Sequence, residues 1–498
     1  MPSKFHERSG KVRKPKAILT LALSVPALAI AAGWANPAEA ASSSSSDSAA
    51  IRQELEAMRA QMKAMASRID SLEGQLANAN ARADAATSAA ASAAQSAAQS
   101  ASVAAAAKET VTQQAAKAPP VQVAWKGAPE FKGDNGWSFK PRGRLQIDAG
   151  GVDGPSGLNE SSSNHLGVST ELRRAYLGFD GTMPGGFGYR FEVDLANSSV
   201  AINDMYLTYR VNPKITLALG NQKPNTGLED QTSDLFTSFM ERAAFTSAFG
   251  FERRVGLNAQ YLGKDVVLQG GVFSDDPNSL NSDYDKSWSV DGRAVYMPRL
   301  AGGTLHLGGS VHWRTLNDSI TTVTYQSRPF VHTTDLRLLS GGVTGATNEL
   351  GLGLEAAWIK GRFHASGESY WQKVRRTGFA DPTFNGGYAE VGYMLTHDET
   401  AYKNGVFERI RPHDGFDKGG LGAVQLNVRY DWLNLNDAGI VGGREQTAGI
   451  SAIWMPTDYV RFILNYGHVW VKDSPVLVNG TDGTYGVDSM GMRAQFDF

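Results

Sequence analysis

The sequence predicts an all-β transmembrane barrel of about 16 antiparallel strands, preceded by a signal peptide and an α-helical coiled-coil stalk. Three observations carry this prediction. From about residue 125 onward, segments of roughly ten residues alternate apolar and polar side chains and are separated by Gly, Pro, Asn and Asp clusters. The same region holds no uninterrupted apolar run of about 18 residues, so any crossing of a membrane there is by strands. Connections between the segments alternate between tight and long, the pattern of short periplasmic turns and longer outer loops.

The elements are taken in chain order. Lys4, Arg8, Lys11, Arg13, Lys14 and Lys16 precede the apolar run AILTLALSVPALAIAAG, and Ala38-Glu39-Ala40 supplies small residues at the cleavage spacing. Residues 1 to 40 are read as an export signal. The competing reading is an uncleaved inner-membrane anchor, against which stand Pro26 within the run and the A-x-A pattern after it.

After a Ser-rich spacer, apolar residues fall at Ile51, Leu55, Met58, Met62, Met65, Ile69, Leu72 and Leu76, alternating steps of four and three. This is a heptad seam. With Leu55, Met62, Ile69 and Leu76 at a, Glu54 and Arg68 stand at g, five residues before Arg59 and Glu73 at e, so opposite charges can pair between parallel chains. The alternative is an amphipathic helix packed on its own domain, but the Ala, Ser and Gln repeats that follow offer it no partner. Residues 41 to 118 are therefore read as a periplasmic coiled coil with an Ala/Ser-rich helix. Unbroken helix up to Pro119-Pro120 would run about 100 Å. A linker is expected over 119 to 137 and the barrel over 138 to 498.

In FKPRGRLQIDAG, residues 139 to 150, Lys140, Arg142, Arg144, Gln146 and Asp148 alternate with Leu145, Ile147 and Ala149, so one face of the strand needs an apolar medium and the other needs water. A sandwich edge would read the same way, so the rest of the chain arbitrates. GYRFEVDLAN and TLHLGGSVHW repeat the pattern. Strands are expected near 138–150, 168–181, 186–197, 200–211, 213–222, 251–263, 264–274 and 286–298, then 302–316, 348–360, 361–376, 384–397, 419–435, 444–456, 457–472 and 484–498. A barrel of that size encloses water, so the charged faces point inward. Trp358, Trp371, Trp432, Trp454, Tyr459 and Trp470 near strand ends suit interfacial girdles. The long connection 398 to 418 breaks the alternation of turn lengths.

A net charge of −2 gives no basic footprint for nucleic acid. With no cysteine, disulfides, thiolate metal sites and cysteine nucleophiles are excluded. No G-x-S-x-G, H-E-x-x-H or phosphate-cradling glycine loop is present, and His306 and His312 lack a third ligand at suitable spacing, so no catalytic residue, metal or cofactor is expected.

Four stretches carry a family likeness: GRLQIDA at 143 to 149, ELRRAYLGFDG at 171 to 181, TGLEDQTSDLFTSFMER at 226 to 242, and RAQFDF at 493 to 498. Their order resembles the phosphate-selective porin family, the O/P-type outer-membrane porins of Gram-negative bacteria, from roughly residue 130 onward. The resemblance implies homotrimers of barrels in the outer membrane, with the third loop, here 223 to 250, folded into the lumen as a constriction. It implies an anion path along Arg144, Arg173 and Arg174, with Ser233 at a matching loop position and Asp204 as an acid beside the constriction; alternation adds Arg142 as an inward base of the same path. Strict alternation turns Arg174 inward with Tyr176 and Asp180, so Arg173 reaches the lumen only with a bulge or near the rim. Any one inward Arg can instead serve a wall salt bridge, the reading given to Arg190 beside Glu192 and Asp194. Further inward bases are Arg254, Arg293, Arg314 and Arg429.

Asp230, Asp234 and Leu235 stand where phosphate-binding members tend to carry basic or hydroxyl residues, and from residue 126 the chain has 35 Lys and Arg against 41 Asp and Glu. The expected function is thus passive diffusion of small anions, with phosphate or polyphosphate as candidates. The alternatives are a nonspecific or sugar-type channel, or a tether to peptidoglycan through the coiled coil. Outer-membrane lipid is the expected surrounding; no nucleic-acid partner is expected.

Overall fold

The computed structural model describes residues 47–117, 121–158, 166–196, 200–277, 287–318 and 320–498. The export signal expected over 1 to 40 lies outside the described residues. The chain divides into two compact units, Met1–Ala115 and Ala116–Phe498.

Within the first unit, one helix runs Asp47–Lys117, 71 residues long. Its Ala-rich sequence favours helix intrinsically, and hydroxyls of Thr87, Ser92 and Thr110 bond to carbonyls four residues back instead of competing with the ladder. The seam residues Leu55, Met58, Met62, Met65, Ile69, Leu72 and Leu76 are all exposed in the single chain. No described helix is long and apolar enough to cross a membrane.

The second unit is a closed antiparallel barrel of 16 strands. Its first eight are β1 (Ser138–Asp153), β2 (Gly167–Met183), β3 (Phe187–Asp194), β4 (Ala201–Asn212), β5 (Ile215–Gln222), β6 (Arg254–Leu262), β7 (Val266–Phe273) and β8 (Trp288–Tyr296). The rest are β9 (Gly303–Thr315), β10 (Ala346–Lys360), β11 (Phe363–Arg376), β12 (Thr383–Met394), β13 (Ala423–Asp437), β14 (Ile440–Thr457), β15 (Val460–Lys472) and β16 (Tyr485–Asp497). Every sequence-predicted strand has its counterpart. A hairpin of Gln122–Lys126 and Ala128–Lys132, inside the stretch expected as a linker, extends the sheet by pairing Phe131 with Phe139.

Closure is written in two of the family-like stretches. β16 pairs with β1 so that Arg493 faces Asp148, Gln495 faces Gln146 and Phe496 faces Leu145. Arg493 grips Asp148 with two bonds, 2.7 and 2.6 Å, and neither side chain is solvent-accessible. Gly143 is glycine for a local reason: a Cβ there would sit 2.2 Å from the Phe498 ring, whose backbone bonds back to Gly143.

The barrel is inside-out relative to a soluble protein. Leu145, Ile147, Leu177, Leu257, Leu352, Val428 and Met492 are exposed on its outer face, while Asp148, Glu355, Arg429 and Asp431 are buried within. That distribution is stable where hydrocarbon is outside and hydrogen-bonding partners are inside. Trp358 and Trp454 donate their indole N–H to the carbonyls of Leu300 and Leu421 near the turn end, as an amphipathic ring at a membrane surface does.

The lumen is partly filled. Phe239, Phe245 and Phe249 of the 223–253 connection pack with Tyr325, Phe330, Leu336, Leu338 and Leu339 of the 316–345 connection, against Tyr370, Phe384, Tyr388 and Leu433 of the wall. The long connection that broke the alternation also turns inward. It carries a hairpin of Tyr402–Lys403 and Val406–Phe407 whose Asn404-Gly405 corner has φ of 52° and 79°, the paired left-handed geometry of a tight hairpin turn. Its Gly405 carbonyl accepts from Arg293 at 2.8 Å and its Phe407 N–H reaches Thr232 at 3.3 Å.

The buried pair at the seam generates a prediction. Asp148→Ala leaves Arg493 with only its loop partners and costs about 3 kcal/mol or more of barrel stability. The readout is the temperature at which the compact band on a detergent gel converts to the unfolded one, expected to drop markedly; an unchanged temperature contradicts the assignment.

Candidate solute pathway

The site is built from the connection between β5 and β6. Its acids find bases on opposite walls. Asp234 is held by Arg144 and, at 2.6 Å, by Arg174; Glu241 takes two bonds from Arg173 at 3.1 and 3.0 Å and one from Arg493 at 2.8 Å. Glu229 pairs with Arg429 at 2.7 Å, and Asp230 with Lys223 at 3.2 Å. Backbone groups are matched as well. Arg461 donates to the Leu235 carbonyl at 2.6 Å, Ser451 to that of Ser238 at 2.6 Å, and Glu368 accepts from the Glu229 N–H at 2.6 Å. The connection therefore spans the lumen from β5 to β11 and β13–β16. Its backbone can do so because each bonded carbonyl replaces a water it has lost.

Arg173 reaches the lumen by a bulge. Gln146 pairs with Arg174 and Ile147 with Leu172, which leaves Arg173 as the extra residue and lets both arginines face inward.

Beside the connection, against β1–β6, lies a cavity of about 460 Å³. It gathers Arg142, Arg144, Ser233 and Asp204 from the sequence-predicted set, and adds Arg190, Arg253, Lys223 and Arg409. Arg173 faces a second cavity of about 310 Å³ at the loop end, and Arg174, largely buried, bridges Gln146 and Asp234. Arg142 bonds Asp180 at 3.2 Å, while its Nε is buried without a hydrogen-bond partner. Asp204 sits between Arg190 at 3.4 Å and Arg253 at 2.6 Å. The Ser233 hydroxyl accepts from the Leu235 N–H at 3.4 Å.

Towards the turn end the 460 Å³ cavity shares Arg142, Arg144 and Arg409 with one of about 190 Å³, and Arg190, Tyr206, Thr208 and Thr216 with one of about 600 Å³. The walls are basic. The first cavity has six Lys or Arg against Glu192, Asp204 and Asp234, and the smallest has six against Glu192 and Asp497. Arg409 was not legible as a lining residue, although the misfit connection that carries it was. Arg253 had no signal beyond its place next to a strand start.

Burial alone would raise the loop carboxylates, but neighbouring cations prevail. Arg144 and Arg174 hold Asp234 well below the usual range, Arg173 and Arg493 do the same for Glu241, and Lys223 with Arg242 lowers Asp230. Burial, reinforced by Arg242, brings Lys223 down to about 8. Because the folded-state values of Asp234 and Glu241 lie under the ordinary 3.8 and 4.5, their clamps are complete above those values and are lost as pH falls through the lower ones. A spin label at Ser233→Cys, the only thiol in a chain without cysteine, is expected to stay immobilised from pH 7 to about 5 and to loosen only at much lower pH. Loosening between pH 7 and about 5 would contradict the clamp.

A protein of Caulobacter vibrioides, described only as uncharacterized, is 41% identical over 505 residues, covering 99% of each chain. Among solved structures, the anion-selective porin from Comamonas acidovorans is similar at TM-score 0.48 and 12% identity, covering 73% of this chain and 100% of that one. The outer membrane channel DcaP of Acinetobacter baumannii is similar at TM-score 0.47 and 13% identity, covering 74% and 99%. The family model for phosphate-selective porin O and P matches residues 139–498, so the chain belongs to that family and is an outer-membrane porin.

Proposed function

We propose that this porin is a passive channel favouring small anions, with the 223–253 connection as its constriction and Arg142, Arg144, Arg190, Arg253 and Lys223 along its path. One observation carries the reading: two of the three carboxylates in the main cavity, Asp204 and Asp234, are each shared by two guanidiniums, so the cavity keeps a positive excess. A guanidinium in a narrow, partly desolvated pore offers forked donors to an oxyanion and lowers its barrier. Phosphate preference is weaker ground, because Asp230 and Asp234 serve as anchors of the loop and add negative charge where an anion would dock. A sugar-type pore would line its path with aromatics; here the main cavity offers only Tyr206 and Phe236 among its described lining residues.

The helix Asp47–Lys117, with its apolar seam exposed, supports parallel self-association of a stalk, which would suit a trimer and a contact with peptidoglycan. Deleting residues 41–118 is expected to reduce co-sedimentation with peptidoglycan and leave channel conductance intact. Unchanged co-sedimentation would remove the tether.

For selectivity, the test is the reversal potential of planar bilayers in a potassium chloride gradient, expected to show anion preference. Arg253→Gln removes one positive charge and uncovers Asp204, worth about 1 kcal/mol at close range even in water, so the anion preference is expected to fall roughly fivefold. A wild-type channel that prefers cations would end the proposal.

A further inference from the structure

We propose that the loop-end cavity of about 310 Å³ is a binding site for a small solute that carries a protonated amine at one end and an acidic group at the other. This goes beyond the anion reading and does not rest on it.

The floor of the cavity is formed by Asp431 of β13 and Glu445 of β14, inward residues on adjacent strands. Asp431 is 1% exposed and neither carboxylate oxygen has a hydrogen-bond partner of ordinary geometry, the Thr447 hydroxyl across the strand pair being its nearest help. Glu445 is 3% exposed and accepts only from the Ser327 hydroxyl, at 2.8 Å. No Lys, Arg or His among the described residues lies within ion-pair distance of either. The guanidinium two residues before Asp431 acts on it only at a distance, since Arg429 is bound to Glu229 and Glu390 at 2.7 Å each. Neighbouring wall acids contrast with these two: Glu355 has Arg293 at 2.8 Å, Glu349 has Arg314 at 3.4 Å, and Asp148 has Arg493. Two buried carboxylates without an ion pair are costly as charges, a cost relieved by taking up a proton or by something positive that completes them.

The opposite pole comes from the loops. Arg242 donates only to the backbone carbonyls of Glu229, Asp230 and Thr232, and Arg337 only to that of Asp335. Neither has a carboxylate partner among the described residues. Of the cavity's other charges, Glu241 is matched with Arg173 and Arg493, Arg328 with Asp335, and His332 with Glu171, while Glu252 is exposed. An ammonium supplies three donors, enough for Asp431 and Glu445 together, and a carboxylate or phosphate would meet Arg242 and Arg337. A metal ion fits less well, because no group of three His, Cys, Asp or Glu suited to one occurs among the described residues. The volume suits a molecule about the size of a dipeptide.

The test is isothermal titration of the purified full-length protein in detergent with glycylglycine, alongside N-acetylglycine, which lacks the amine, and ethylamine, which lacks the acid. Glycylglycine is expected to bind saturably with both controls roughly tenfold weaker or more, and Asp431→Asn with Glu445→Gln to weaken it by at least about tenfold. Heat-dependent gel migration verifies that this variant folds. Arg337→Gln, a change on the loop pole, is expected to weaken glycylglycine and leave ethylamine unaffected. Absence of saturable glycylglycine binding, equal binding of either control, or full binding by the Asp431→Asn, Glu445→Gln protein overturns the proposal.

Discussion

Ion pairs between the 223–253 connection and the barrel wall set the shape of the space that remains. Glu229, Asp234 and Glu241 each bring a buried negative charge into the lumen, a placement that is costly in isolation and becomes favourable only when the opposing guanidinium is fixed and otherwise satisfied. Arg144, Arg173, Arg174, Arg429 and Arg493 meet that condition because they stand on strands whose ladders hold their backbones rigid. Each pair also specifies position. Arg173 takes Glu241 in a forked arrangement, and a one-residue slip of the connection would separate the partners. With the connection pinned, its phenylalanines pack against the 316–345 connection, and a cavity of about 460 Å³ is left on the β1–β6 side.

The clamp changes the role of the arginines that the family resemblance selects. Arg144 and Arg174 share Asp234, so they are partly neutralised, and a reading that counts lumen arginines as free anion sites overstates the field. What survives is the surplus. Where two guanidiniums share one carboxylate, the group retains a unit of positive charge, and Asp204 between Arg190 and Arg253 repeats the device. Anchoring the loop and keeping the path positive are therefore compatible. Asp230 and Asp234, the acids that look wrong for a phosphate site, are among the acids that hold the 223–253 connection in place.

The strands were legible because period-two alternation is a local signal that the barrel interior and the bilayer enforce along every strand. For Arg173 the same alternation left a bulge or a rim position open, and the register shift beside Gln146 is the bulge. The misfit at 398–418 was visible as a broken rule, and its physical basis is a hairpin that enters the lumen from the turn end. Partners were not legible. Asp234 lies 90 residues from Arg144, and Arg493 lies 345 from Asp148, so their meeting depends on closure of the whole barrel. Nor could the sequence separate Asp431, which lacks an ion-pair partner among the described residues, from Glu355, which has Arg293.

Uneven pairing of acids around the wall then has a physical consequence. A lumen acid bound to a strand arginine contributes to closure and register, and its charge is largely cancelled for anything moving past. One left without a cation either bears the desolvation cost of its charge or takes up a proton, and a partner that supplies positive charge relieves that cost. Asp431 and Glu445 fall in the second group at the loop end, while at the turn end Arg142, Arg409 and Arg411 are paired with Asp180, Asp497 and Asp458, and only Lys140 of that cavity has no ion pair among the described residues. The two ends of this lumen therefore differ in kind: at the loop end two wall acids stand without an ion pair beside loop arginines, and at the turn end the acids are taken up by strand and loop arginines.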